Sequence, residues 1–374
     1  MSRWRVPFAC GILLSSAMGS GVAGAGDLPL PTAIRGTLAP DAASLAVSVT
    51  VTNRSNRPTD AAVLEVHLST DGLIDSGDAR LDARPIAPLG PHAEFVVDVS
   101  ASVPDVPPGR YYVVARLRAA DGAAPPSIRQ TLWGAPLAIG PDLLVDEIDG
   151  QIEDGVTLRV GGRVTNAGTR TAGAVRVSAS LAEHETGAVT GALGAAEVGD
   201  LPRGHSTRFE GIIPLSDVPT GQYRLVVQVD PDHRIAESDT TNNVARGERE
   251  FRLGPDLSIT ALSAVTAEPD SLVVQDALLN RGTRPSDPCG ISFFLSRNGV
   301  LDPGDVPIGY RLVPALAPGA DSRAETRLAL PRRRLTTGRY YLLGKADGSG
   351  AVAESDETNN VGLAPTPLDF RLAP

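Results

Sequence analysis

Carboxylates and turn residues cluster in two short stretches with matching spacing. Ser69-Thr70-Asp71-Gly72-Leu73-Ile74-Asp75-Ser76-Gly77-Asp78 parallels Ser296-Arg297-Asn298-Gly299-Val300-Leu301-Asp302-Pro303-Gly304-Asp305. Asp71, Asp75 and Asp78, or Asn298, Asp302 and Asp305, could each bring three oxygen donors onto one tight loop, as a hard cation such as Ca²⁺ requires. The spacing is not that of an EF-hand. Asp, Asn and Gly are also the residues of hairpin turns, where they tolerate left-handed backbone and bond their own main chain. Turn chemistry is the favoured reading, with a weak calcium site as the alternative.

A second polar string also occurs twice. Glu237-Ser238-Asp239-Thr240-Thr241-Asn242-Asn243 and Glu354-Ser355-Asp356-Glu357-Thr358-Asn359-Asn360 lie 117 residues apart. Glu354, Asp356 and Glu357 could form an acidic ligand patch. In the structural reading, which is favoured, Asp starts a turn, Asn takes left-handed positions, and Val244 or Val361 opens the last strand.

The remaining reactive side chains do not form a constellation. His67, His92, His184, His205 and His233 show no zinc spacing; His67 is placed on an exposed strand face and the others in loops. No nucleophile elbow, phosphate loop or dinucleotide fingerprint is present. Paired carboxylates for glycoside chemistry need a cleft, and the acids here sit in turns. Arg332-Arg333-Arg334 reads as a solvated loop, and Cys289 as a half-buried thiol beside the turn Asp287-Pro288-Cys289-Gly290. No catalytic or cofactor-binding residue is assigned, and the chain reads as a non-enzyme.

The elements that hold these residues repeat. Gly140-Pro141-Asp142-Leu143 returns as Gly254-Pro255-Asp256-Leu257, and Thr165-Asn166-Ala167-Gly168-Thr169 as Asn280-Arg281-Gly282-Thr283, with Thr52-Asn53-Arg54-Ser55-Asn56 an earlier relative. Gly109/Tyr111, Gly221/Tyr223 and Gly338/Tyr340 mark a third recurring element. The first unit has no closing acidic string, and Gly122 to Ser127 stands in its place. The second lacks the double-aspartate hairpin. A repeat of roughly 110 residues is large enough for its own core, unlike the short units of solenoids.

Within each unit the pattern is period two, the mark of strands with one buried face. Leu45, Val47, Val49 and Val51 form an inward set, matched by Leu158, Val160, Gly162 and Val164, then by Leu272, Val274, Asp276 and Leu278. Asp276 breaks the pattern and must lie near an edge or find a partner, because an unpaired buried carboxylate is costly. Later strands start at the Gly-x-Tyr elements, whose tyrosines are placed to bond back to nearby backbone as tyrosine corners. No stretch shows sustained helical periodicity. The predicted fold is all-β: three tandem immunoglobulin-like, fibronectin-type sandwiches.

With 42% hydrophobic but only 4% aromatic residues, the cores must be aliphatic. A net charge of −10 repels phosphate backbones and argues against nucleic acid. Arg3, Arg5, the apolar run from Val6 to Met18 and Ala23-Gly24-Ala25 read as a signal peptide over residues 1–25. Cys10 lies in a poor lipobox. Cleavage would leave Cys289 alone, so no internal disulfide is expected. No other stretch reaches the ~18–20 apolar residues of a membrane span.

The Pro-Asp-Leu openings, the Asn-x-Gly turns, the Gly-x-Tyr strand starts, the closing Glu-Ser-Asp-x-Thr-Asn-Asn and the Ser-x-Asx-Gly-x-x-Asp-x-Gly-Asp hairpins together resemble the CARDB family of bacterial and archaeal cell-adhesion-related domains. The resemblance is strong over 141–253 and 255–372 and weaker over 31–139. It implies tandem Ig-like domains of exported proteins, periplasmic or extracellular, with no defined catalytic residues. The expected role is adhesion, protein interaction or spacing by a monomer, with a protein or cell-surface glycan as ligand. The alternatives are a calcium-dependent carbohydrate-binding protein and an accessory chain of an extracellular hydrolase.

Overall fold

The structure is a computed structural model that describes residues 28–39, 43–103, 105–121, 130–268 and 271–371. The expected signal segment, with Cys10, and the stretch Gly122 to Ser127 lie outside the described residues. The rest is β-structure, interrupted by one turn of 3-10 helix at Arg332–Arg334. The three arginines there are exposed, as expected of a solvated loop.

The strands form six antiparallel sheets that pair as three sandwiches. In the first, β1 (Leu30–Leu38), β2 (Ser44–Thr52) and β5 (Glu94–Ser102) face β3 (Ala62–Ser69), β4 (Ala79–Ile86), β6 (Gly109–Ala119) and the short β7 (Gln130–Leu132) and β8 (Leu137–Ile139). The second sets β9 (Leu143–Glu153), β10 (Thr157–Asn166) and β13 (Ser206–Pro214) against β11 (Val175–Glu183), β12 (Gly194–Val198), β14 (Gly221–Val229) and β15 (Val244–Leu253). The third sets β16 (Leu257–Glu268), β17 (Ser271–Asn280) and β20 (Asp321–Ala329) against β18 (Cys289–Ser296), β19 (Val306–Val313), β21 (Gly338–Ala346), β22 (Val361–Leu363) and β23 (Leu368–Phe370). Each sandwich encloses a separate aliphatic cluster, drawn from the inward sets that the alternation marks. The fold is all-β, with Ig-like sandwiches in series.

One core position is filled in three ways. Val49 of β2 pairs with Val97 of β5. Gly162 leaves room for Phe209, whose ring comes within 2.7 Å of where a Cβ would sit. Asp276 meets Arg311, which reaches in from β19: Nε lies 3.0 and 2.8 Å from the two carboxylate oxygens. The same guanidinium donates to the Ser322 carbonyl at 3.0 Å. The pair is almost wholly shielded, with side-chain exposures of 8% and 0%, so the outlier of the sequence pattern is resolved by a partner.

His67 departs from expectation. It is 6% exposed, not on a solvated face. The cause is its place on β3, a central strand flanked by β4 and β6. Its outer face also carries Glu65, bridged at 2.8 Å by both Arg116 and Arg118. Burial pushes the His67 imidazole below its ordinary pKa.

The tyrosines fasten the other end of each sandwich. Tyr111 and Tyr223 donate to the carbonyls of Pro107 (2.7 Å) and Pro219 (3.0 Å). Tyr340 instead accepts from the Thr336 amide at 3.1 Å.

Asp276→Ala is expected to destabilise the third sandwich by about 3–5 kcal/mol, because it strands a buried guanidinium, whereas Asp276→Val with Arg311→Leu is expected to be near neutral. Urea denaturation of both variants checks this, and equal losses would contradict it. Tyr223→Phe is expected to cost about 1 kcal/mol by the same measurement.

Candidate functional site

The repeated acidic strings bond mainly within their own sandwiches. In the third, Glu354 accepts the Leu257 amide at 2.5 Å and the Asn360 side-chain amide at 2.8 Å. In the second, Glu237 accepts from Leu143 at 2.6 Å and Asn243 at 2.7 Å. Ser355 and Ser238 donate backbone amides to the Pro255 and Pro141 carbonyls, both at 2.8 Å. Asp356 and Asp239 accept the amides of Thr358 and Thr241, both at 3.0 Å. Asn359 and Asn242 donate to Asp256 and Asp142, both at 2.8 Å. The string therefore sews the loop after β14 or β21 to the first strand of its sandwich.

The turn role expected of Asp is observed, and Val244 opens the last strand of its sandwich, whereas Val361 opens β22, which β23 follows. The left-handed role expected of Asn is not observed. Among the described residues, the left-handed non-glycine ones are His92, Glu147, Asp154, Asp230, His233 and Asp347. The asparagines contribute side-chain donors instead, which leaves their backbone free to run into the strand. Sequence reasoning also missed Asp142 and Asp256 as partners of the string, and Asp230 and Asp347 as its neighbours. The recurrence of Pro-Asp-Leu was the available signal for the first pair.

Burial dominates the electrostatics. It pushes the Glu354 carboxyl up to about 7, against the two hydrogen bonds that favour its charged form, and raises Glu237 in the same way. Asp239 and Asp356 go the other way, held below the ordinary range by the threonine hydroxyls and amides and by the arginines beside them. Burial also pushes the Cys289 thiol up to about 11, so it stays protonated and is a poor nucleophile. Cys289 is buried at the start of β18.

The hairpin carboxylates also act on their own loops. Asp71 accepts from the Leu73 amide at 2.8 Å, Asp75 from Gly77 at 2.7 Å and Asp78 from Asp75 at 2.9 Å. Asn298 accepts from Val300 at 2.9 Å, Asp302 from Gly304 at 2.8 Å and Asp305 from Asp302 at 3.0 Å. Among the described residues, no group of three or more His, Cys, Asp or Glu side chains is arranged to hold a metal ion. None of the described helices is long and apolar enough to cross a membrane.

Serial Ig-like sandwiches, the second and third closed by an acidic string stitched to a Pro-Asp-Leu strand, define a class of repeat domain. The CARDB family matches residues 140–247 and 254–363, and the chain belongs to that family. No curated protein matches it. Among solved structures it is similar to a domain of a cell surface protein from Methanosarcina acetivorans. Identity there is 20%, with 31% of this chain and 93% of that one covered, at a TM-score of 0.25. It is also similar to the CARDB domain of a Pyrococcus furiosus protein solved in complex with di-metal ions, at 20% identity, 31% and 92% coverage and a TM-score of 0.24. A third likeness is to β-glucosidase 3B from Thermotoga neapolitana, at 22% identity, 31% and 17% coverage and a TM-score of 0.22.

Because the Glu354 carboxyl binds its proton more tightly folded than unfolded, its contribution to stability is complete below about pH 4.5 and is lost as pH rises through about 7. Across that window, wild type is expected to lose up to about 3 kcal/mol relative to Glu354→Gln. Urea midpoints measured from pH 4.5 to 8 check this; parallel curves would rule it out.

Proposed function

We propose that the chain is an exported, non-enzymatic adhesion and spacing protein. Its three sandwiches would span about 31–139, 141–253 and 255–372, behind a signal peptide at 1–25. It would act in the periplasm or outside the cell as a monomer, offering loops and strand edges to a protein or cell-surface glycan. The observation that carries this reading is the consumption of the closing strings. The most chemistry-laden residues of the two family-matched units are spent on hydrogen bonds inside their own sandwich and to its neighbour, and none is held ready over a cleft. Membership of the CARDB family supports it.

Calcium-dependent carbohydrate binding is the competing reading. It would use Asp71, Asp75 and Asp78, or Asn298, Asp302 and Asp305. The metal-bound Pyrococcus domain is what favours it. Against it, one oxygen of each of these side chains already closes a turn.

The secreted form is expected to bind protein-coated or glycan-coated surfaces saturably, with the same affinity in calcium and in chelator. Surface plasmon resonance against a glycan and envelope-protein panel tests this. Calorimetric heat on calcium addition, abolished by Asp71→Asn with Asp302→Asn, would replace the leading reading with the calcium one. Hydrolysis of a panel glycan would replace both.

A further inference from the structure

The contacts at the linkers between consecutive sandwiches are the same contacts twice. At the first joint, the Gly140 amide donates to the Thr169 hydroxyl at 3.0 Å, and the Thr169 and Arg170 amides donate back to the Gly140 carbonyl at 2.8 and 3.3 Å. At the second, Gly254 donates to Thr283 at 3.1 Å, and Thr283 and Arg284 donate back at 2.8 and 3.3 Å. The arginine next in line then crosses into the preceding sandwich. Arg170 donates to the Val106 carbonyl at 2.7 Å and Arg284 to the Val218 carbonyl at 2.7 Å. Arg284 also reaches the Leu215 carbonyl.

A second bridge runs from each sandwich forward to the Asp of the next closing string. Arg110 pairs with Asp239, and Arg252 pairs with Asp356 at 2.6 Å. The two basic residues sit on different strands but at one cross-strand position, since Arg110 pairs with Ala138 and Gln222 with Arg252. Close approach is built in as well. Gly140 and Gly254 sit at φ +132° and +131°, where a side chain is strained. A methyl on Gly168 or Gly282 would overlap the Gly140 or Gly254 carbonyl.

The outer faces lack part of this set, although Arg57 keeps the arginine position on the first sandwich. On the first sandwich, Asn53 bonds the Arg57 carbonyl as Asn166 and Asn280 bond those of Arg170 and Arg284. Ser55 and Asn56 therefore stand where a joint needs Gly and Thr. On the third sandwich, Arg371 follows β23 at the position of Gly140 and Gly254. There Arg339 is engaged by its own cross-strand partner Asp369 at 3.4 Å, and Arg297 lies 3.9 Å over the Tyr340 ring.

We infer that the two joints are one sequence-coded lock, Gly-Pro-Asp against Asn-x-Gly-Thr-Arg, that holds neighbouring sandwiches in a single repeated orientation and accepts no further sandwich on either outer face. The chain is then a stiff rod of three units whose loops keep a fixed mutual register. This is independent of what the rod binds. Each inter-unit bridge ends on a fixed backbone carbonyl or on a turn-held carboxylate, which opposes swivelling, although relative motion is the default for small interdomain contacts.

Pulsed dipolar spectroscopy tests the lock on the full exported chain, with spin labels at Ser100→Cys and Glu325→Cys in a Cys289→Ala background. One narrow distance peak is expected. Its loss to a broad distribution is expected in Arg170→Ala with Arg284→Ala, while the near-ultraviolet dichroism of the folded sandwiches is unchanged. If that variant fails to fold, Asp239→Asn with Asp356→Asn serves the same purpose through the second bridge. A distribution as broad without the mutations as with them would overturn the lock. Concentration-dependent end-to-end oligomers in sedimentation velocity would overturn the closed outer faces.

Discussion

A glutamate carboxyl buried between the first strand and the loop after β14 or β21 holds the second and third sandwiches closed. Taking it out of water is costly, and two hydrogen bonds offset that cost: one from the opening strand's amide, one from an asparagine of the same string. Around it the serine, the aspartate and the second asparagine each have a separate task. The arrangement explains why the string is repeated almost letter for letter while the surrounding sequence drifts. Nearly every residue in it contacts a partner fixed by the fold, and one of those partners, an arginine, belongs to the preceding sandwich.

The cores tolerate more variety. A valine pair, a glycine under a phenylalanine ring, and a buried carboxylate–guanidinium pair occupy equivalent positions. Apolar burial is non-directional and volume can be supplied from either sheet, so the sandwich survives such exchanges as long as the space is filled. The ionic version is the demanding one. It adds directional bonds to Ser322, and it fixes the register of β19 against β17 and β20 in a way that aliphatic packing does not.

Much of this was legible in the sequence. Period-two alternation exposed the strands, the repeat exposed the serial architecture, and Asp276 stood out as needing company. Its partner did not, since Arg311 is 35 residues away on the facing sheet and alternation carries no information across sheets. His67 was misplaced for a related reason. Alternation separates two faces but does not reveal that long arginine arms lie over the outer one. Backbone preference points the asparagines to left-handed turns, whereas their side-chain amides decide their role. Asn-x-Gly reads as a turn, and it is one. That its glycine must admit the carbonyl of the linker glycine is a property of the joint, which local pattern does not encode.

Only three residues separate β8 from β9, and again β15 from β16. At ~3.3–3.6 Å per residue, so short a tether lets the flanking strand ends part by no more than about 14 Å even when every bridge across the joint is broken. Under load, such a chain yields in angle long before it yields in length. Its contour is set by the number of sandwiches, so a pull strong enough to break the bridges would change the angles between them without paying out slack.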